Sequence, residues 1–481
     1  MSEWTQQAIE QALLPIVGRH GLLMGDDTIS YEHGARYGHG KALCVVRPAT
    51  TEEVQEVVRW CAVHHVPLVP QGANTGLVGA STPDDSATQV VLSTSRLRQR
   101  CEVDAANRSV TVDAGMTLQE LNEKLEPLGL WFPVDLGANP SIGGMVAANT
   151  GGTRLIRYGD VRHNVLGLQV VLLQPQAQAL QLGRALRKDN TGPDLKQLFI
   201  GTSGSGAVIT QVTLEVQRKP QQNATALVVP TSDEAVLQLL QALEQDLGDY
   251  FSAFEGLSGN AMQAAIEHVP NLRNPFAPEP APDFAILIEL EAQSSKTYTG
   301  LDLQEALNQF LQDQFEHTIC NAVIGNAAEL WHLRHSITEG ARALGKPIAF
   351  DVSVPRSRIM AFCRAARAVV AQDFPFLHVV DFGHIADGGV HFNVIWRSDA
   401  SLPYDPAVVQ TLRDRIYAMV VQDFAGSFSA EHGVGPHNMA YYHRYTAAPA
   451  QRLAQGLRQL IDPQQLCGTV DFGDHTNTAS V

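Results

Sequence analysis

Charge is scarce in this 481-residue chain, at 17% of residues, and acid outweighs base to leave a formal net charge of -16. A chain so short of cations is not built around nucleic acid or an anionic membrane surface. No run approaches the roughly 18 consecutive apolar residues that would span a bilayer. The opening MSEWTQQAIEQALLPIVG carries acid and no basic n-region, so a cytoplasmic location is expected. Cysteine is sparse too: positions 44, 61, 101, 320, 363 and 467, with no CxxC pair. That spacing argues for reduced thiols and against an iron–sulfur cluster or a cysteine-ligated zinc. Any metal must rely on histidine and carboxylate.

A chain of 52.2 kDa has room for two or three domains with substantial cores. After a polar N-terminal helix, ALCVVRP reads as a strand. TTEEVQEVVRWCAVHH follows with Val54, Val57, Val58 and Cys61 at helical spacing. Strands are expected at PLVP, TQVVLS, SVTVDAG, LGLQVVLL and AVITQVTLEVQ, a helix from Thr117, and an irregular glycine-rich run from Phe132 to Gly159. The junction at Lys219 and Pro220 divides a first domain, 1–219, from a second, 220–425, with 426–481 expected to pack back on the first. In the second domain strands TALVVP, FAILIELEA and AFDVSVP alternate with helices at SDEAVLQLLQALEQDL, 302–315, AAELWHLRHSITEGARAL and RSRIMAFCRAARAVV. That pattern predicts α+β, one sheet covered by helices on a face.

Three glycine-rich patches could hold a phosphate-bearing cofactor. QGANTGLVG (71–79) follows a strand, and its glycines would let backbone N–H groups turn toward a pyrophosphate. A glycine-rich surface turn is the competing reading. The patch is neither GxGxxG nor GxxxxGK[ST], so it gives no support to a nicotinamide Rossmann domain or a kinase-type NTPase. PVDLGANPSIGGMVAANTGGTRLIRYGD extends the theme, with buriable Ile142, Met145 and Val146 inside it. Unstructured loops beyond about 12–15 residues are usually functional or disordered, and those apolar residues favour function. RKDNTGPDLKQLFIGTSGSGAVIT is the third.

Residues 381–394, DFGHIADGGVHFNV, put His384 and His391 seven apart. On one straight strand an odd separation sends side chains to opposite faces. The ADGG between two apolar arms therefore reads as a hairpin turn that holds the imidazoles near each other. They are either a buried hydrogen-bonded pair or metal ligands awaiting another donor. SAEHGVGPHN supplies candidates: Glu431 and His432 are adjacent, so one can ligate while the other addresses a substrate. Two histidines and a carboxylate suit zinc, or Mn2+ or Fe2+, acting as a Lewis acid. Arg334 and Thr338, four apart, share one helical face, and Trp331 on that helix reads as core packing.

In combination, VPQGANTGLVG, DLGANPSIGGMVAANTGG, RYGDVRHNVLGLQVVL, RKDNTGPDLKQLFIG and SAEHGVG resemble the FAD-dependent D-2-hydroxyacid dehydrogenases. These are the D-lactate, glycolate and D-2-hydroxyglutarate group of the vanillyl-alcohol-oxidase flavoprotein superfamily. The likeness runs over most of residues 40–470. It implies a split α+β FAD domain, an antiparallel-sheet substrate (cap) domain and a C-terminal segment returning to the first. It places Gly72, Asn74, Thr75, Gly76, Leu77, Asp135, Ser141, Gly143, Gly144, Asn149, Gly152 and Tyr158 along the cofactor. Covalently flavinylated relatives have histidine where Thr75 stands, so non-covalent FAD is expected. The same resemblance assigns His384, His391 and Glu431 to the metal, His432 as the base, and Arg334, Thr338 and Asn393 to the substrate.

Departures from the family pattern bear on the substrate. Relatives that oxidise diacids have a lysine two residues before the aspartate of a D-x-S-x-P strand; here DVSVP begins at Asp351 and that place is Ala349. A monocarboxylate such as D-lactate is expected, with D-2-hydroxyglutarate as the alternative if Lys346 supplies the cation. Ser203 stands where the family has an acid, and LCGTVDFG replaces its C-terminal N-P-G-K. The electron acceptor could be a quinone, an electron-transfer flavoprotein or a cytochrome, and a homodimer is one option for assembly. From other classes, a zinc hydrolase would leave the glycine loops unexplained. A flavin carrier without turnover would need a structural metal, which usually has four protein ligands.

Overall fold

The computed structural model describes residues 4–473, and contact density divides them into two units. The first takes the chain up to Gly151, then Gly159–Arg218, and again from Glu431 on; the second takes Gly152–Tyr158 and Lys219–Ala430. The return to the first unit thus falls at Glu431, five residues beyond the expected 426. The seven residues Gly152–Tyr158 join the second unit although both their neighbours belong to the first.

Two sheets build the first unit. Strands Ala42–Val46 and Leu68–Gln71 both run parallel to Gln89–Ser93 between them, with Leu22–Leu23 antiparallel at the edge. The second sheet is antiparallel, in the order Cys101–Asp104, Ser109–Asp113, Ala207–Glu215, Val165–Leu172, Ala179–Gly183. Alternation along Val165–Leu172 sorts its side chains to two cores. Leu168, Val170 and Leu172 face the helices Leu118–Leu125 and Ile142–Ala148, whereas Val171 packs with Val54, Val57, Val58 and Cys61 of Thr51–His64. Helix Leu118–Leu125 starts in a capping box: Thr117 accepts from the Glu120 amide and Glu120 accepts from the Thr117 amide.

The run from Phe132 to Gly159 is less irregular than expected, since Ile142–Ala148 and Leu155–Tyr158 are helical. Ser141 caps the first by accepting from the Gly144 amide at 3.3 Å. Met145, Val146, Ala147 and Ala148 are adequate helix formers, and the two glycines ahead of them masked that preference.

A seven-stranded antiparallel sheet forms the second unit, in the order Ile319–Ile324, Gln222–Pro230, Phe284–Ala292, Phe251–Ser258, His378–His384, Gly389–Arg397, Gly345–Ser353. Helices cover both faces, not one. Arg334 of Ala327–Leu344 stands over Phe382, whereas Arg367 of Ile359–Asp373 pairs with Asp381, the next residue and therefore the other face. Ala327–Leu344 packs closely on Gly259–His268, where a Cβ on Gly340 would lie 2.4 Å from the Ala264 carbonyl oxygen. On the far face Phe350, Phe362, Phe392 and Tyr417 meet edge to face or tilted. Strand Phe251–Ser258, absent from the sequence reading, is buried at every position. Covered on both sides, it shows none of the alternation that marks a half-buried strand.

Candidate active site

In the first unit the glycine patches converge on helix Ile142–Ala148. QGANTGLVG leaves the carboxyl end of parallel strand Leu68–Gln71, the end at which open parallel sheets take ligands. Gly72 approaches the cap so closely that a Cβ there would lie 2.2 Å from Ser141 Oγ. Gly143 packs on Ala114, whose Cβ would be 2.6 Å from an added methyl group. Asn74 adopts φ 55°, where asparagine is tolerated, and its side chain donates to the His33 carbonyl and accepts from Ser81 Oγ. At the other end of the helix, Asn149 at φ 52° donates to Asp160 and accepts from the Arg162 amide. The Gly201 and Ser203 amides satisfy the carbonyls of Val146 and Ala147. The C-terminal segment joins the same cluster: His437 donates its amide to the Val78 carbonyl and stacks on Tyr37 at 3.4 Å.

Thr75 and Leu77 are half-buried in the first loop and Gly76 is exposed at it; Asp135 is half-buried on the approach to Ser141. Two other residues assigned to the cofactor, Gly152 and Tyr158, belong to the second unit. There the Tyr158 hydroxyl donates to Glu291 at 2.7 Å, and burial together with that carboxylate pushes the phenol pKa up. The convergence of small-residue backbone on one capped helix fits a pyrophosphate-bearing cofactor such as FAD.

The second unit carries a polar face. His391 lies opposite Phe382 in the hairpin, and His384 is two residues on from Phe382. Both imidazoles therefore point to one side, and their ring centroids are 5.2 Å apart. On the next strand Asp351 is paired with His391 and Ala349 with Asn393, so these four also share that side. Lys346, an odd number of residues from both Ala349 and Asp351, lies on the opposite side, its Nζ 3.6 Å from the Tyr404 ring centroid. Lys346 therefore does not share the face that carries Ala349 and Asn393.

Ala430, the last residue of the second unit, donates its amide to Asp351. Glu431 and His432 continue directly from it, and ligand atoms of Asp351, His391, Glu431 and His432 all lie within 4.8 Å of one another. Two imidazoles and two carboxylates are a donor set for a divalent cation such as zinc, Mn2+ or Fe2+. His384 is outside that group of four. Its Nδ1 is 2.6 Å from Oε1 of Glu255, its partner across the next strand pair, which leaves Nε2 as the ring atom for a metal. A carboxylate on the far nitrogen is the usual support of a ligating histidine.

Arg334 is 6% exposed and already engaged: its Nε donates to Glu255 Oε2 at 2.7 Å, and its Nη2 lies at ion-pair distance, 2.7 Å, from the same oxygen. Burial would raise the Glu255 pKa, but His384 and Arg334 outweigh it and bring it to about 2. Thr338 is half-buried one turn further along, as is Asn393 on its strand. Trp331, expected in the core, is buried but also polar in its contacts: Nε1 donates to Glu289, which pairs with Arg154. Asp351 and Glu255 escaped the sequence reading as site residues. For Glu255 the signal was there, a lone charge in the otherwise uncharged strand FSAFEGLS.

Comparison with known proteins bears on the cofactor and the fold. Residues 42–180 match the FAD binding domain family and residues 219–469 the family of FAD linked oxidases, C-terminal domain. D-2-hydroxyglutarate dehydrogenase, mitochondrial, of Danio rerio is 35% identical over 432 residues, covering 88% of this chain and 77% of that protein. Relatives from Rattus norvegicus, Arabidopsis thaliana and Bos taurus carry the same name, and one from Xanthomonas citri pv. viticola is named D-2-hydroxyglutarate dehydrogenase. A mitochondrial Schizosaccharomyces pombe protein named for a D-lactate dehydrogenase is 31% identical over 439 residues, 88% of this chain and 80% of that one. Among solved structures, p-cresol methylhydroxylase superposes with a TM-score of 0.77 over 99% of both chains at 14% identity, a likeness of fold. The architecture is that of the vanillyl-alcohol-oxidase flavoproteins, and the chain belongs to the FAD-dependent D-2-hydroxyacid dehydrogenase family.

Proposed function

We propose that the protein oxidises a D-2-hydroxy acid to the 2-oxo acid with the aid of a divalent cation. The observation that carries this reading is the gathering of Asp351, His391, Glu431 and His432 within ligand distance in a chain of this family. When bound, FAD supplies the two-electron acceptor and the cation a Lewis acid that lowers the pKa of the substrate hydroxyl. His391 and Glu431 would hold the cation, with His384 and Asp351 beside them. His432 takes the hydroxyl proton, a role suited to imidazole near neutral pH. The Cα hydrogen leaves with its electron pair, and the C–O single bond becomes a carbonyl. Arg334 and Thr338, on one helical face, hold the substrate carboxylate, and Asn393, two residues from His391, lies on the same strand face. Non-covalent attachment of FAD follows from Thr75.

For the substrate, the proposal is D-lactate or a similar monocarboxylate. Ala349 provides no second cation, and Lys346 is turned to the other side of the sheet. D-2-hydroxyglutarate is the second reading, favoured by the names of the relatives. A cytoplasmic location and an acceptor among quinones, electron-transfer flavoproteins and cytochromes complete the proposal. The decisive experiment is anaerobic mixing of purified protein with D- and L-2-hydroxy acids. Bleaching of the yellow flavin by D-isomers alone, abolished by a chelator and restored by zinc or manganese, is expected. A colourless protein, or bleaching indifferent to the chelator, would overturn it.

A further inference from the structure

We infer that Glu255 is a positioning residue that fixes His384 and Arg334 to each other, so that metal affinity and capture of the substrate carboxylate depend on one buried side chain. The inference rests on the reaction proposed above. Glu255 is 1% exposed in the middle of the seven-stranded sheet, where an unpaired carboxylate would be strongly destabilising. Its two oxygens are divided between two partners. Oε1 is 2.6 Å from Nδ1 of His384, and Oε2 accepts from Nε of Arg334 and forms an ion pair with its Nη2 at 2.7 Å.

The sheet adds rigidity. Register places Glu255 directly across from His384 and Leu257 across from Phe382, and Phe382 across from His391. The Arg334 guanidinium lies 4.6 Å above the Phe382 ring. The arginine is thus held from below by an aromatic face and from the side by the same carboxylate that orients the imidazole. With Nδ1 engaged, His384 presents Nε2. With two nitrogens engaged, Arg334 presents its remaining N–H groups in one fixed plane. A planar carboxylate between them is a spacer: neither group can shift without moving the other. Glu289 makes a useful contrast, because it secures the same helix through Trp331 and reaches Arg154 but has no bond to His384.

The test compares Glu255→Gln and Glu289→Gln as flavin-loaded proteins stripped of metal. Zinc affinity is measured by competition with a chromogenic chelator, FAD content by absorbance, and KM and kcat with the best substrate from the anaerobic screen. In Glu255→Gln, zinc should bind roughly 10- to 100-fold more weakly and KM should rise about 10-fold or more, with FAD content unchanged. Glu289→Gln should lower Tm and leave zinc affinity unchanged. Unchanged zinc affinity in Glu255→Gln, or weakened zinc binding with an unaltered KM, overturns the inference. If Glu255→Gln does not fold, Arg334→Lys serves instead. A lysine cannot grip Oε2 through two nitrogens, so zinc binding should weaken although residue 334 is no ligand, and wild-type zinc affinity there overturns the proposal. If the unaltered protein is bleached by no 2-hydroxy acid, the reaction is wrong, and the zinc measurements still decide whether Glu255 orients His384.

Discussion

Asp351 faces His391 straight across two antiparallel strands, with its Oδ1 3.7 Å from Nδ1 of the imidazole. The Ala430 amide is tied to the same carboxylate. Asp351 therefore addresses one histidine directly and holds the backbone that leads into Glu431. Asp351→Asn should weaken zinc binding by roughly 10- to 100-fold, measured by chelator competition, while leaving flavin content intact.

Gly143 has no room for a side chain, because a methyl group would fall 2.6 Å from the Ala114 Cβ and 3.0 Å from the Ala114 carbonyl oxygen. Both are parts of a packed core that cannot give easily. Gly143→Ala should cost about 1–3 kcal/mol and release FAD on gel filtration. Gly456→Ala, where an added Cβ meets nothing within 4 Å, is the control that should retain it.

Ala349→Lys should turn the preference toward dicarboxylates. The new ammonium would start from the face that carries Asn393, His391 and Asp351. The ratio of kcat/KM for D-2-hydroxyglutarate over D-lactate should rise at least about 10-fold, equivalent to roughly 1.4 kcal/mol. An unchanged ratio would show that the substrate's distal end lies elsewhere.

Glu291 is a buried acid with a pKa raised by desolvation and by the neighbouring Glu289, against the pull of Arg154. A carboxyl whose folded pKa is raised keeps its proton more readily folded than unfolded. It therefore costs stability as pH climbs from the ordinary carboxylate range through the raised value. Glu291→Gln still accepts a hydrogen bond from Tyr158 and removes the like-charge contact. Its Tm should exceed the parent's at neutral pH, and the gap should close at pH 4. Melting curves across that range decide it.

Thiol chemistry should separate the cysteines sharply. Burial pushes Cys44 up to about 12 and Cys467 to about 11, and raises Cys61 and Cys363 as well. Cys320 is exposed and Cys101 half-buried. Native protein treated with a disulfide reagent should react quickly at Cys320, slowly at Cys101, and at the other four only after denaturant is added. Peptide mapping of the labelled protein checks the order.

The first unit was readable because its signals are local: a strand, a glycine turn and a capped helix leave their marks within a few residues. Thr117 and Glu120 show this in four letters. The hairpin carrying His384 and His391 was readable for the same reason, as its turn residues lie between its arms. Glu255 and Asp351 were not, because each acquires its role from a strand far away in sequence, and one-dimensional spacing carries no record of register. Ala349 and Lys346 make the point in miniature. In the sequence Lys346, three residues from Ala349, is the alternative place for the cation that Ala349 does not provide, and pairing with Asn393 and Trp396 puts the two on opposite sides.

The backbone passes from one unit to the other four times, at Gly151, Tyr158, Arg218 and Ala430. Neither half is therefore a continuous segment that could be excised. Expressing residues 1–218 alone would forfeit the Thr469 hydroxyl bonded to the Ala80 carbonyl and the bridge between Leu68 and Cys467. Expressing 219–430 alone would strip Arg154 from Glu289 and Tyr158 from Glu291, leaving two neighbouring buried acids without their cation. Such interleaving makes the polypeptide resistant to shuffling by gene truncation: a single cut injures both halves at once.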